Sequence, residues 1–232
     1  MPSRFPYDAS WSNAGPVTAP ALWTDFGGVL TPPVEVTFRD FSDRAGVPLH
    51  ALKEAMRLVG EDHGTDAMGV LDIPLLTESA WIEALELELE QGFGLVCDLS
   101  NFGDRWFAGR RANADWLEHL AAFRSRGLFV GMLSNLPPSW ERHRRHLVDD
   151  THFDDLVCSY AVGVRKPDPE IFQLAAQRAG RAPQDCILVD DMEKNCAGAI
   201  AAGWRAVHFL NADQAALGIE RLLLAPAPTL VH

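Results

Sequence analysis

The chain has 232 residues, 47% of them hydrophobic and 22% charged, a globular composition equivalent to roughly one and a half ordinary domains. Lysine and arginine total 20 against 32 aspartates and glutamates, a formal charge of −12. That charge repels phosphate backbones and anionic bilayers, so nucleic acid and membrane surfaces are excluded as expected partners unless a local basic patch intervenes. The one such cluster, Arg142, His143, Arg144, Arg145 and His146, runs directly toward Asp149 and Asp150 and reads as a solvated helix face.

Residues 1–20 carry Pro2, Pro6, Pro16 and Pro20 and no apolar run, which predicts a flexible or surface-wrapped tail rather than a signal peptide. Ala21–Thr24 is a first short apolar run, and it stops at Asp25. Residues 33–107 then read as a largely helical insert, with helices over Phe38–Val59 and Glu78–Gln91. In the second of these, Trp81, Leu85, Leu87 and Leu89 form one apolar seam. Val96–Leu99 fits either a short strand or an extended link. A segment of that size is expected to be a satellite domain rather than a loop.

Alternation resumes beyond it. A helix over Asn113–Arg126, stopped by Gly127, precedes an apolar run at Leu128–Leu133 that ends in Ser134 and Asn135. Leu156–Ser159 leads into the turn Val164–Pro169, and a helix follows over Pro169–Gly180. Cys186–Val189 ends at Asp190 and Asp191, a small-residue helix covers Asn195–Ala202, and Ala206–Phe209 supplies a fifth run. Short apolar runs bounded by turn signals suit strands buried on both faces of a parallel sheet. The predicted fold is therefore α/β: a Rossmann-like, doubly wound core of residues 21–32 and 108–232, with the helical segment 33–107 inserted after the first strand. His208 in the last run reads as a packed histidine, and Trp140 with Pro137 and Pro138 as either pocket rim or packing.

Four dispersed cysteines without a C-x-x-C pair point to a reducing, cytoplasmic setting. The absence of any window of 18 apolar residues argues against a transmembrane helix.

In open α/β sheets ligands bind beyond the carboxyl ends of the strands, so the polar tips of these runs are expected to converge. Asp25 precedes Gly27 and Gly28, whose amides can face an anion. Ser134 and Asn135 suit a phosphoryl oxygen, and Lys166 offers a point charge. Asp190 and Asp191 are adjacent carboxylates that repel each other and Asp25 unless a cation sits between them. Three carboxylates, a hydroxyl and a lysine at one sheet edge describe a magnesium-assisted phosphoryl-transfer site.

In this order and spacing the chain resembles the haloacid-dehalogenase-like hydrolase superfamily across Ala21–Phe209. The carrying segments are Trp23–Leu30, Met132–Asn135, Ser159–Phe172 and Ile187–Asp191. The insert is similar to that family's type 1 helical cap. The resemblance implies that Asp25 is the nucleophile forming an aspartyl-phosphate, and that Ser134 and Lys166 stabilise the transferring group. Gly28 and Asn135 would contact substrate. Asp25, the backbone carbonyl of Gly27, Asp190 and Asp191 would hold Mg2+. It further implies a small phosphorylated metabolite as substrate, and a chain acting as monomer or homodimer.

One position departs from the family pattern. Phosphatases of the superfamily carry a second aspartate two residues after the nucleophile, which protonates the leaving group and activates water. Here that residue is Gly27, as in glucose-1-phosphatase-like members with an Asp-x-Gly-Gly motif. General acid–base help is worth about 10²–10⁴ in rate, so three alternatives follow. A phosphatase could draw its proton from an ordered water or from the cap, with Glu61, Asp62 and His63 as candidate donors unless they form only a solvated turn, or act on a substrate with a good leaving group such as a sugar 1-phosphate or acyl phosphate. The chain could be a catalytically degenerate protein that binds a phosphorylated ligand or partner. It could be a 2-haloacid dehalogenase, although dehalogenases of this family carry Asp-x-Tyr and work without metal, whereas this chain keeps the Asp190–Asp191 pair. The retention of Asp25, Ser134, Lys166 and both aspartates favours the phosphatase.

Overall fold

The computed structural model describes residues 19–224; most of the predicted N-terminal tail lies outside them. The five apolar runs become five parallel strands: β1 (Ala21–Thr24), β2 (Phe129–Ser134), β3 (Asp155–Cys158), β4 (Cys186–Asp190) and β5 (Arg205–His208). Their order across the sheet is β3-β2-β1-β4-β5. Strands β1 and β4 are buried on both faces, which is why Ala21–Trp23 and Cys186–Val189 are apolar without a break rather than alternating. Along β1 the side chains still take opposite faces. Leu22 joins the cluster that contains Trp116, Leu120 and Ile219, whereas Trp23 packs with Leu133, Ile171, Phe172 and Leu188.

Register places the strand tips together. Thr24 lies opposite Met132 on β2 and Val189 on β4, Ser134 lies opposite Cys158, and Asp190 opposite His208. The N–H of Asp25 continues the ladder with a hydrogen bond to Val189 O at 2.9 Å. Every polar tip thus ends on one edge of the sheet.

Six helices intervene between β1 and β2, and the first five belong to the insert: α1 (Val34–Ala45), α2 (Leu49–Asp62), α3 (Gly69–Asp72), α4 (Glu78–Phe93) and α5 (Phe102–Phe107). The single helix predicted over Phe38–Val59 is two. Gly46, at φ 68°, closes α1 in the left-handed conformation, and Pro48 opens α2, so the chain turns where periodicity alone reads through. In α4, Trp81, Leu85 and Leu89 are buried against the insert's other helices, but Leu87 is exposed at 50%. Its position, two residues from each buried leucine, points away from that stripe. Val96–Leu99 is an extended link and belongs to no strand.

The core helices follow: α6 (Ala114–Ser125), α7 (Glu141–Leu147), α8 (Ser159–Val162), α9 (Pro169–Ala179), α10 (Glu193–Ala201) and α11 (Ala212–Leu224). The basic cluster falls on α7, and it is not uniformly solvated. Arg144 is 1% exposed, with its guanidinium bound to Glu141 at 2.8 Å and Asp150 at 2.5 Å. The acids that flank the cluster in sequence neutralise its middle member. All four cysteines are free, and no helix among the described residues is long and apolar enough to cross a membrane.

Candidate active site

Asp25 leaves β1 at the centre of the sheet and is 7% exposed. The loop Lys166–Pro167 beyond β3 brings Lys166, fully buried, beneath it. The Lys166 ammonium lies 2.8 Å from Asp25 Oδ1 and 2.5 Å from Asp190 Oδ2. Burial opposes the lysine's charge, but Asp190 and Asp25 outweigh it and hold the ammonium protonated above the usual range. Burial raises the Asp25 carboxyl to about 6; Lys166 opposes that rise and Asp190 adds to it. Desolvation, then Asp25 and Asp190, lift Asp191 to about 7.

The lysine's own position is fixed by Asn135. The Asn135 side chain donates to Lys166 O at 2.8 Å and accepts from Lys166 N–H at 2.8 Å. Asn135 therefore positions Lys166 through its backbone, while the second N–H of its amide has no protein acceptor among the described residues and the residue lines the cavity above the site. Ser134 is 1% exposed, with its hydroxyl 3.4 Å from Asn135 O. Gly28 differs from expectation. Its N–H is already taken by the Thr31 hydroxyl at 3.2 Å. Its φ of 78° and the absence of a side chain serve Asp191, whose Oδ2 would lie 2.0 Å from a Cβ at that position. Gly28 thus makes room for a carboxylate of β4's tip.

Asp25, Asp190 and Asp191 can each bring one oxygen within 4.8 Å of the others. Asp190 is otherwise well occupied: its Oδ1 accepts from Met192 N–H and from Asn195 Nδ2, each at 2.9 Å. By contrast, Asp191 Oδ1 and Asn195 Oδ1 are buried oxygens without a hydrogen-bond partner. Buried acceptors of this kind call for a donor or a cation, and an all-oxygen donor set suits a hard divalent ion such as magnesium.

Above these groups lies a cavity of about 340 Å³. Asp25, Gly27, Asn135, Lys166 and Asp191 line one part of it, and Val34, Phe38, Met56, Trp106, Phe107 and Trp140 supply apolar wall. The insert closes over it: Glu78 Oε1 of α4 accepts from Gly103 N–H at 2.8 Å and from the Trp140 indole at 3.1 Å. Glu61, Asp62 and His63 do not reach this cavity. They lie at the exposed end of α2, where Glu61 pairs with Arg57 and His63 Nδ1 lies 2.9 Å from Val59 O.

The insert contributes two other carboxylates. Arg165, beside Lys166, binds Asp66 at 2.9 Å and Asp72 at 3.1 Å, and Lys194 binds Asp66 at 2.8 Å. Burial raises Asp66 less than Arg165 and Lys194 lower it, so its carboxyl titrates well below the usual range. Asp72 is 3% exposed, and burial outweighs Arg165 to lift it to about 7. Neither aspartate stands out in the sequence, because their partner is about a hundred residues away.

A family model described as haloacid dehalogenase-like hydrolase matches residues 21–203. The phosphoserine phosphatase of Thermus thermophilus is 39% identical over 92 residues, covering 38% of this chain and 36% of its own length. Phosphatase MT3486 of Mycobacterium tuberculosis is 31% identical over 147 residues, 62% of this chain and 66% of that protein. The chain thus spans about a third of the first relative and just under two thirds of the second. A haloacid-dehalogenase-family enzyme from Bacteroides thetaiotaomicron, solved in complex with magnesium and inorganic phosphate, has the same fold. It superposes with a TM-score of 0.60 at 21% identity, over 82% of this chain and 93% of that one.

Proposed function

The chain belongs to the haloacid dehalogenase-like hydrolase family, and from that premise we propose that it is a magnesium-dependent phosphatase of small phosphomonoesters, working through an aspartyl-phosphate on Asp25. Within the family it fits the members with a type 1 cap, here residues 33–107, and a first motif of the Asp-x-Gly-Gly variant. The observation that carries the reading is that the buried Asp25 and Lys166 and the half-buried Asp191 line one cavity. A binding protein has no physical need for a nucleophile so placed. The two relatives named above are phosphatases by description.

Asp25 and Asp191, with Asp190 and the Gly27 carbonyl, would hold the magnesium, and the unpartnered Asp191 Oδ1 is the oxygen most in need of it. When bound, the ion offsets negative charge on the carboxylates and on the phosphoryl oxygens. Lys166 fixes one oxygen of Asp25, and the other attacks phosphorus as the ester oxygen leaves with its electron pair. The same ammonium offsets charge that develops on the transferring group. Gly27 has no proton to donate, so esters whose alcohol leaves readily as an anion are the favoured substrates. Water then attacks phosphorus in the aspartyl-phosphate, releasing phosphate and regenerating Asp25. Burial of the site beneath the insert limits competing reactions until that step.

Release of phosphate from 4-nitrophenyl phosphate and a panel of sugar and acyl phosphates, with and without magnesium, tests the proposal. The expected result is metal-dependent turnover that Asp25→Asn abolishes. Turnover by the wild type no higher than that of Asp25→Asn would overturn it and leave a protein that binds phosphorylated ligands.

A further inference from the structure

Four cations line the cavity: Arg110, Arg165, Lys166 and Lys194. Three are paired, Lys166 with Asp25 and Asp190, Arg165 with Asp66 and Asp72, and Lys194 with Asp66. Arg110 is different. Its Nε and Nη2 are buried without a hydrogen-bond partner, and among the described residues no carboxylate forms an ion pair with it. The guanidinium instead lies over two rings, 4.6 Å from the Trp106 centroid and 4.8 Å from that of Phe107. Ring faces attract the cation but accept little from its in-plane N–H groups, which form a fork suited to a carboxylate or phosphate.

Arg110 is also held still. It belongs to the segment that returns the chain from α5 to α6. Asn113 pins that segment to the loop after Asp25, with its N–H on Leu30 O and its side-chain amide on Val29 O, both at 2.9 Å. The unpaired cation and the nucleophile are thus mounted on one connected piece of backbone. Around them the cavity wall is mostly hydrocarbon and aromatic, including Val34, Phe38, Met56 and Trp140. Such a wall offers few partners for the hydroxyls of a sugar, whose desolvation would go uncompensated.

Resting on the phosphatase reading, we infer that Arg110 is a second anion-binding point, and that the substrates are phosphomonoesters with an apolar body carrying a further carboxylate or phosphoryl group. The phosphoryl group being transferred occupies the Asp25 end, the body lies against the aromatic wall, and the second anion pairs with the Arg110 guanidinium.

Binding of phosphonates, which are not hydrolysed, tests this separately from turnover. Calorimetry with magnesium compares 4-methylphenylphosphonate with its 3- and 4-carboxyphenyl counterparts and with a phenylene bisphosphonate. The wild type should bind at least one probe with an anionic tail about tenfold to a hundredfold more tightly than the methyl probe, the worth of a charged hydrogen bond. The better of the carboxylate and bisphosphonate arms identifies the second group. Arg110→Gln should erase that preference, and Arg110→Lys, which keeps the charge but not the fork, should restore part of it. Loss of packing alone would weaken all probes alike. Equal affinity for charged and neutral tails in the wild type would overturn the inference, as would a preference that survives Arg110→Gln. If the preference appears while neither 4-nitrophenyl phosphate nor the matching carboxyphenyl phosphate is hydrolysed, the anion site stands and the phosphatase reading falls.

Discussion

Gly27→Asp puts back the carboxylate that related phosphatases use as acid and base, and the structure states what it would meet. A Cβ at Gly27 has one neighbour, Val34 Cγ2 at 4.0 Å, which is ordinary contact. The residue has no positive φ, so a side chain brings neither clash nor backbone strain. Gly27 lines the same cavity as Asp25, and the negative charges of Asp25 and Asp191 nearby would raise the new carboxyl's affinity for a proton, favouring the acid form. Positioned general acid catalysis is worth about 10²–10⁴, or some 3–5 kcal/mol of barrier. A side chain not held by designed neighbours should reach the lower end. The gain depends on the leaving group. An alkoxide needs a proton and 4-nitrophenolate does not, so kcat/KM for an alkyl phosphate should rise about a hundredfold while that for 4-nitrophenyl phosphate changes little. Steady-state kinetics on both substrates, with a thermal melt as control, reads the ratio directly. A parallel fall on both substrates in a folded variant would refute the reasoning. It would mean that Gly27 makes room for substrate and that another group supplies the proton.

Gly28→Ala should behave oppositely to Gly27→Asp, because its Cβ would lie 2.0 Å from Asp191 Oδ2 at a φ of 78°. We expect a lower melting temperature and an increase of about tenfold or more in the magnesium concentration needed for half-maximal activity; an unchanged metal requirement would show that Asp191 is not a ligand. Asp72→Asn tests the buried carboxyl of the insert. A carboxyl raised to about 7 in the fold binds protons more tightly than in the unfolded chain. Wild-type stability therefore falls as pH rises from about 4 to 7 and levels off above it. Between pH 5 and 8 the variant should gain about 2–3 kcal/mol relative to wild type in urea titrations, and a difference that stays constant across that range would contradict the assignment.

The strands were legible because a buried parallel sheet demands uninterrupted apolar residues, and β1 and β4 meet that demand up to their polar last residues, Thr24 and Asp190. The tips were legible for a related reason: once Ala21–Thr24 and Cys186–Asp190 are neighbours, Asp25 and Asp191 must share an edge. What the sequence did not reveal depends on contacts between distant segments. Arg144 looks like one of several solvated basic residues until Glu141 and Asp150 close around it. Asn135 and Gly28 sit where substrate-binding groups belong, yet Asn135 holds the backbone of Lys166 and Gly28 makes room for Asp191. The polar run Glu61–His63 drew attention by composition and faces solvent, whereas Asp66 and Asp72, a few residues later, meet Arg165. Local pattern identifies which residues can carry charge; packing decides which of them face the cavity.

The overall charge of −12 raises the question of how an anionic substrate enters at all, and the cavity answers it locally. Its lining holds the acids Asp25, Asp66, Asp72 and Asp191 against the cations Arg110, Arg165, Lys166 and Lys194, so the formal charges there cancel. Asp190 lies behind Lys166 and adds one negative charge. Burial keeps Asp72 partly protonated near neutrality, which offsets some of it. A bound divalent cation would then turn the balance positive within a few ångströms of Asp25. Because the other three cations are already matched, the unpaired Arg110 is where the remaining positive potential is directed away from Asp25. An anion is therefore attracted at two separate points of one apolar chamber, in a molecule whose outer surface repels it. That separation gives the site a means of selecting substrates with two separate anionic groups over phosphate itself, which can satisfy the Asp25 end but cannot also reach across an apolar body to Arg110.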